Sequence, residues 1–149
     1  MAEFTFSTHI CRTLSEMDQT QAEIGVILEG LGANILKNLG EVELGKSIRI
    51  FIRDQEDKVV GGIVGDIFSN WVYISLLWVT ESLRNQGYGT QLVRLLESEA
   101  IKLGCNSAHL DTYSFESRPL YERLGYELFA VLEDYPTGYS KYFMKTNLI

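Results

Sequence analysis

The chain has 149 residues, which suits one hydrophobic core, and hydrophobic residues make up 46% of it, as in ordinary globular proteins. Its formal net charge of −7 opposes binding to phosphate backbones and favours cationic acceptors, so we expect no nucleic-acid partner. No apolar run approaches the ~20 residues that span a bilayer, and residues 1–4 lack the basic start of a secretory signal, so we expect no membrane partner and a cytoplasmic location.

The first predicted element is a strand, because Phe4 and Phe6 alternate with polar residues. A helix is predicted next, since Thr20 and Glu23 have the spacing of a capping box at a helix start. An apolar stripe at helical spacing continues that helix, and its members are Ile24, Ile27, Leu28, Leu31 and Ile35.

Three strands are predicted after this helix. Residues 48–52 place isoleucine at every second position, which indicates a strand with one buried face. Residues 59–65 form a glycine-rich strand, and the long apolar run at 71–79 predicts a central strand covered on both sides. Short polar turns join the three runs, so we expect an antiparallel meander.

A β-α-β unit is predicted in the second half of the chain. After residues 84–89, a helix is indicated by a stripe of Leu92, Leu95, Leu96, Ala100 and Leu103. Residues 108–112 read as a short strand parallel to the long one. A short helix then begins with Ser117 as N-cap and ends at Gly125, and residues 126–132 and 142–145 read as the last strands.

The predicted fold class is therefore α+β (mixed α/β), in a single domain over residues 1–149. Its sheet is mixed and mostly antiparallel, with six to seven strands flanked by helices around the central β-α-β unit. Cys11 and Cys105 are expected to be free buried thiols, and His9 and His109 to be strand residues. No Cys and His pair has the spacing of metal ligands, so no metal is expected.

The loop Arg84-Asn85-Gln86-Gly87-Tyr88-Gly89 is the strongest candidate binding site. A glycine-rich turn between a strand and a helix exposes backbone N–H groups at the positive end of the helix dipole, where phosphate binds. The same pattern also occurs in tight turns that bind nothing. A P-loop is excluded because Thr90 follows without the Gly-Lys pair, and a dinucleotide fingerprint is excluded because its third glycine is missing.

Two motifs resemble a known family. Arg84-x-x-Gly87-x-Gly89 resembles the Gln/Arg-x-x-Gly-x-Gly/Ala motif of the GNAT superfamily of N-acetyltransferases. The segment at residues 120–126, Leu-Tyr-Glu-Arg-Leu-Gly-Tyr, is similar to that family's aromatic-Tyr-Glu-Lys-x-Gly-Phe segment. The resemblance covers roughly residues 45–147, and it implies a GNAT-like fold and acetyl-CoA as the acetyl donor.

The resemblance also implies roles for particular residues. It assigns the coenzyme pyrophosphate to the backbone of Gln86, Gly87, Tyr88, Gly89 and Thr90, and it makes Arg84 and Asn85 cofactor-binding residues at the start of the same loop. It assigns the pantetheine arm to the strand edge at Leu77, Trp78 and Val79. It makes Tyr121 the general acid that donates a proton to the coenzyme sulfur, although a tyrosine at this helical position is also typical of a packed core.

The resemblance does not supply a base. Histone-type members carry a glutamate on the central strand, and that position falls near Tyr73 here. Asp66, Glu81, Asp111 and ordered water are the alternatives that remain. Residues 111–115, Asp-Thr-Tyr-Ser-Phe, are similar to a bacterial subset of the family, but Glu116 stands where that subset commonly has glutamine.

The implied reaction is the direct attack of a primary amine of a small molecule on the acetyl thioester. Two other functions remain open at this point, a non-catalytic coenzyme A-binding module and an acetyltransferase acting on proteins or peptides. Edge strands and exposed aromatic residues favour a homodimer.

Overall fold

The computed structural model describes residues 4–40 and 45–149. The chain divides into two compact units, Met1–Val42 and Glu43–Ile149. The prediction of a single domain over 1–149 stays a prediction.

The first unit contains two helices, α1 (Leu14–Asp18) and α2 (Gln21–Leu39). The predicted strand at Phe4 and Phe6 is wrong, because residues 4–12 have no strand partner among the described residues, and His9 consequently lies in irregular chain. The capping box is also displaced. Thr13 and Glu16 form it at α1, whereas the Thr20 hydroxyl donates to the Met17 carbonyl and does not cap α2.

The second unit is built around one sheet. Its elements within residues 45–149 are β1 (Lys46–Arg53), β2 (Val59–Phe68), β3 (Trp71–Val79), α3 (Tyr88–Lys102), β4 (Ser107–Tyr113), α4 (Arg118–Arg123), β5 (Glu127–Glu133) and β6 (Ser140–Asn147). The six strands lie in the order β1-β2-β3-β4-β6-β5. All neighbours are antiparallel except β3 and β4, which confirms the predicted mixed sheet with its β-α-β unit.

The core lies between α3 and one face of this sheet. The helix buries its predicted stripe at Leu92, Leu96 and Ala100, while Leu95 on its outer side stays exposed. Alternate strand residues such as Val72 and Leu110 meet the helix from the sheet, as the period of two requires. Each buried leucine or valine contributes about 1.5–3 kcal/mol, so this face holds α3 in place.

Strand β3 is central, as predicted, but it is not covered along its whole length. Val72 and Ile74 are buried in its first half, whereas Leu76 is 65% exposed and Trp78 is 53% exposed in its second half. The expectation of burial on both sides is therefore wrong for the second half. Leu77 and Val79 still pack against the core there, so the exposed Leu76 and Trp78 lie on the opposite face of the strand.

Candidate active site

The central feature of the site is the point where two parallel strands separate. Strands β3 and β4 pair from Trp71 with Ser107 to Ile74 with Leu110, and no further. At the same point the register between β2 and β3 shifts, so that Ser75 is an extra residue on β3 and its hydroxyl donates to the Val64 carbonyl at 3.3 Å. Such a bulge bends its strand. Beyond it, residues 76–79 stay paired with β2 and present an unpaired edge toward β4.

The glycine-rich loop follows the end of β3. A 3-10 turn at Glu81–Leu83 leads into it, and the Arg84 side chain donates to the Val79 carbonyl at 3.1 Å. The Gln86 side chain donates to the Ser82 carbonyl at 2.8 Å. These two bonds tie the loop back to the end of the strand, so the long side chains of Arg84 and Gln86 are engaged within the loop itself.

Glycine is required at one position of this loop. Gly87 is the N-cap of α3 and has φ 86°, in the left-handed region that favours glycine, and no atom lies within 4 Å of where its Cβ would stand. At Gly89 the restriction is different, since a Cβ there would meet the Leu120 side chain of α4 at 3.3 Å. The first glycine therefore shapes the turn, and the second lets α3 and α4 approach.

The first turn of α3 presents free backbone donors. Gly87 provides no side-chain cap, and helical hydrogen bonding begins with the Gln91 N–H, which donates to the Gly87 carbonyl at 3.0 Å. The N–H groups of Tyr88, Gly89 and Thr90 have no acceptor among the described residues. Three adjacent donors at the positive end of a helix dipole form a site for an anion such as phosphate.

Tyr121 lies on the other side of the opening, in α4. Its ring is buried, with 6% of the residue exposed, and packs edge-on against Tyr126 at 5.8 Å between ring centres. Burial, followed by the negative charges of Glu116 and Asp111, raises the pKa of Tyr121 to about 12. Tyr121 is therefore a core residue that also lines the cleft, and its role as the general acid stays a prediction.

A single cleft of about 900 Å³ brings the predicted site residues together. Tyr121 and every predicted cofactor residue except Gln86 line it, namely Leu77, Trp78, Val79, Arg84, Asn85, Gly87, Tyr88, Gly89 and Thr90. Gln86 lies in the same loop but not in the lining. Sequence reasoning gave no role to three cleft residues. Ser75 lies in no motif, whereas Thr112 and Leu120 lie in the matched segments 111–115 and 120–126 but received no individual role.

The four positions considered for a base have different surroundings. The Tyr73 hydroxyl donates to Asp111 Oδ2 at 2.6 Å, and burial together with this bond raises the pKa of Tyr73 to about 12, so Tyr73 is no base at neutral pH. Asp111 also contacts the Lys141 ammonium at 2.8 Å, so both of its carboxylate oxygens are engaged. Asp66 and Glu81 are exposed and do not line the cleft.

Within residues 4–40 and 45–149, no three His, Cys, Asp or Glu side chains come together in an arrangement that could hold a metal ion. In the same residues, no helix combines the length and the apolar character needed to cross a bilayer.

Known proteins resemble this chain in sequence and in structure. The profile of the acetyltransferase (GNAT) family matches residues 29–126. An acetyltransferase of Agrobacterium fabrum is 35% identical over 127 residues, which cover 85% of this chain and 91% of that protein. The blasticidin-S acetyltransferase of Streptomyces morookaense is 32% identical over 95 residues, covering 63% and 70% respectively.

The comparison of folds also indicates similarity to acetyltransferases. A crystal structure of a protein from Agrobacterium tumefaciens assigned as an acetyltransferase superimposes with a TM-score of 0.81 at 30% identity, over 98% of this chain and 99% of that one. The predicted site residues that line the cleft, from Leu77 to Thr90 and at Tyr121, all lie inside the segment that the family profile matches. The chain belongs to the GNAT family of acetyltransferases.

Proposed function

We propose that this enzyme transfers the acetyl group of acetyl-CoA to a primary amine of a small molecule, by direct attack of the amine on the thioester. GNAT acetyltransferases use acetyl-CoA. The observation that carries the proposal is the separation of β3 from β4 after Ile74, which places a free strand edge, a free helix start and Tyr121 in one cleft.

Acetyl-CoA has two features that this cleft can bind. Its pyrophosphate fits the backbone N–H groups of Tyr88, Gly89 and Thr90, which lack acceptors among the described residues. Its pantetheine arm carries amides, and these pair with an exposed strand edge as an added strand does. The edge of β3 at residues 77–79 lies between the bulge and the loop, so one extended molecule reaches both places.

The chemical step needs charge stabilisation at two atoms. As the amine attacks, the thioester carbonyl oxygen becomes an oxyanion, and backbone N–H groups near Val79 are the donors that the strand edge offers. As the carbon–sulfur bond breaks, the thiolate gains from a proton, which Tyr121 donates. The amine proton released on forming the amide restores the tyrosine, so the products are the N-acetyl amine and coenzyme A.

The pKa of about 12 for Tyr121 shapes this role. An ordinary thiol has a pKa near ~8.5, so the phenol is the weaker acid and complete transfer of its proton to the free thiolate is uphill. The transfer becomes favourable only as the tyrosine recovers a proton from the attacking amine. Tyr121 therefore acts mainly by a hydrogen bond to the departing sulfur, coupled to loss of the amine proton.

No side chain in the cleft is assigned as the base. Asp111 is engaged by Tyr73 and Lys141, and the more exposed Asp66 and Glu81 stand outside the lining. Glu116 lines the cleft, but one of its oxygens accepts from the Thr112 hydroxyl at 3.1 Å and the Tyr113 N–H at 3.0 Å. We propose that the ammonium form of the acceptor first loses one proton to bulk solvent through ordered water, which leaves the neutral amine that attacks.

The acceptor is a small amine in this proposal. Net charge −7 favours approach of a cationic molecule and disfavours nucleic acid, and one relative is named for a small-molecule acceptor, blasticidin S.

Free thiols at Cys11 and Cys105 favour a reducing cytoplasmic location over a secreted one, and no membrane partner is proposed. The exposed edge strand β5, with Phe129 and Val131, favours a homodimer.

Release of the coenzyme A thiol tests the proposal. The protein is mixed with acetyl-CoA and a panel of primary amines, including polyamines, aminoglycosides and nucleoside-type amines, and free thiol and acetylated product are followed together. We expect release that depends on one class of amine and yields product in equal amount. Tight binding of acetyl-CoA with no release for any amine, or acetylation only of peptides, would contradict the proposal.

A further inference from the structure

The end of β4 is supported unequally on its two sides. Toward β3 its backbone pairing stops at Leu110, and Asp111 is the first residue beyond the last pair. Toward β6 the pairing continues through Asp111 and Thr112 to Tyr113. Backbone hydrogen bonds therefore fix this end relative to β6 but leave its distance from β3 undetermined.

Side chains from three neighbouring strands meet at Asp111. Its Oδ2 accepts a hydrogen bond from the Tyr73 hydroxyl of β3 at 2.6 Å, and its Oδ1 lies 2.8 Å from the Lys141 ammonium of β6. Both charged side chains are shielded from water, with 20% of Asp111 and 19% of Lys141 exposed. Charge-assisted bonds in such surroundings are stronger than pairs on an open surface.

Aromatic rings hold the partners of Asp111 in place. The Tyr73 ring stacks on His109 with 4.9 Å between ring centres. The Lys141 ammonium lies 5.4 Å from the centre of the Tyr113 ring. Tyr113 is two residues after Asp111 and lies on the same face of β4. The side chains that meet at Asp111 are thus pre-organised, and the hydrogen bond from Tyr73 adds little further ordering cost.

We propose that Asp111 is a positioning residue that holds the end of β4 at a fixed distance from β3 and so sets the width of the cleft. This inference rests on the proposed function of the cleft. The loop at residues 84–89 continues from β3, whereas Tyr121 follows from β4. Glu116 binds Thr112 and Tyr113, so the connection that leads to Tyr121 moves with the end of β4.

Two measurements test the role, and only one of them depends on catalysis. Tyr73→Phe removes the cross-strand hydrogen bond and keeps the ring. Amide hydrogen exchange of residues 111–117 should then accelerate at least ~10-fold, because local opening no longer breaks that bond. In the thiol-release assay, kcat should fall on the order of 10-fold, while KM for acetyl-CoA changes less than ~2-fold, since the loop on the β3 side is untouched.

Asp111→Ala supplies the second arm of a double-mutant cycle. It should lower kcat at least as much as Tyr73→Phe, and adding Tyr73→Phe to it should cause no further loss, because both changes remove the same bond. Asn70→Ala is the matched control. The Asn70 side chain donates to Asn106 at 2.9 Å and links the residues that directly precede β3 and β4, next to their paired end, so kcat and exchange at 111–117 should stay unchanged.

Unchanged exchange at residues 111–117 in folded Tyr73→Phe would overturn the proposal, and so would faster exchange with unaltered kcat. A large loss in Asp111→Ala with no effect of Tyr73→Phe would also overturn it, because Asp111 would then act independently of β3. A wild-type protein that releases no thiol with any amine would contradict the proposed function instead, and the exchange measurement would still report whether Asp111 holds the strand.

Discussion

The two halves of β3 differ in what surrounds them. In the first half, β2 and β4 pair on both edges and Val72 and Ile74 are buried against α3 and its neighbours. In the second half, β4 no longer pairs with β3, Leu77 and Val79 still pack against the core, and Leu76 and Trp78 on the opposite face are exposed. One extra residue, Ser75, separates the halves. The fold thus keeps one face of the strand against the core along both halves, while only the second half has an edge free for binding.

The largest effect on kcat is expected in the cleft beside the second half of β3, which we call the open half. Tyr121→Phe removes the proton donor but keeps the ring, so kcat should fall about 10²–10⁴-fold while the Kd for acetyl-CoA changes little. Single-turnover kinetics and a direct binding titration measure the two quantities separately. A kcat within threefold of the wild-type value would show that Tyr121 is only a core residue.

Tyr126→Phe is the control for that experiment. Its hydroxyl donates to buried Glu97 at 3.0 Å, on the core side of the neighbouring ring. Removing it should lower the free energy of unfolding by about 1–3 kcal/mol and leave kcat within a few fold. The two tyrosines then separate loss of chemistry from loss of packing.

Substitutions next to the first half of β3, which is paired on both edges, should instead lower stability and leave kcat unchanged. Leu96 is fully buried in α3, and Leu96→Ala leaves a cavity that costs about 2–5 kcal/mol of stability. Denaturant unfolding should show this loss, while kcat measured well below the unfolding transition stays near the wild-type value. A large fall in kcat with unchanged stability would contradict the division of roles between the two halves.

A smaller effect is expected from the loop glycine. Gly87→Ala forces an alanine to φ 86°, at a cost of about 1–2 kcal/mol, and adds a methyl group in open space where the coenzyme is proposed to lie. Gly104→Ala, just after α3, has φ 92° and open space as well, so it carries the same strain away from the cleft. Both should lose similar stability.

Only Gly87→Ala should also weaken acetyl-CoA binding, by about 5–10-fold in Kd, a difference of roughly 1 kcal/mol. Calorimetric titration of both variants measures it. Equal Kd values for Gly87→Ala and Gly104→Ala would mean that the coenzyme does not approach the backbone of this loop.

The sequence predicted the regular elements of the second unit well, because local patterns specify them. Residues 71–79 were predicted as a strand and form β3 with the same bounds, and the apolar stripe through Leu92 and Leu96 predicted the buried face of α3. The short N-terminal alternation at Phe4 and Phe6 misled, because two apolar residues do not create a partner strand.

What the sequence could not predict depends on register. Lys141 meets Asp111 only because β4 and β6 pair with a particular offset, and no motif links positions 30 residues apart in the chain. Glu97 stands on the buried side of α3, where its partners Arg94 and Tyr126 are known only once the helix is packed. The bulge at Ser75 likewise follows from pairing and leaves no local pattern.

The smallest expected effect concerns the dependence of kcat on pH. An ordinary tyrosine acting as an acid would make kcat fall at about pH 10, and Tyr121 should not. Tyr121 must be protonated to act as an acid, and its pKa is raised to about 12, above the usual ~10. The protonated form therefore persists at all pH values below about 11 and is lost only as the pH passes through 12. With an acceptor amine of low pKa, kcat should stay level between about pH 8 and 10. A decline centred near pH 9 to 10 that disappears in Tyr121→Phe would mean that burial does not shield this hydroxyl, and that the open half of the cleft reaches further toward Tyr126 than its packing indicates.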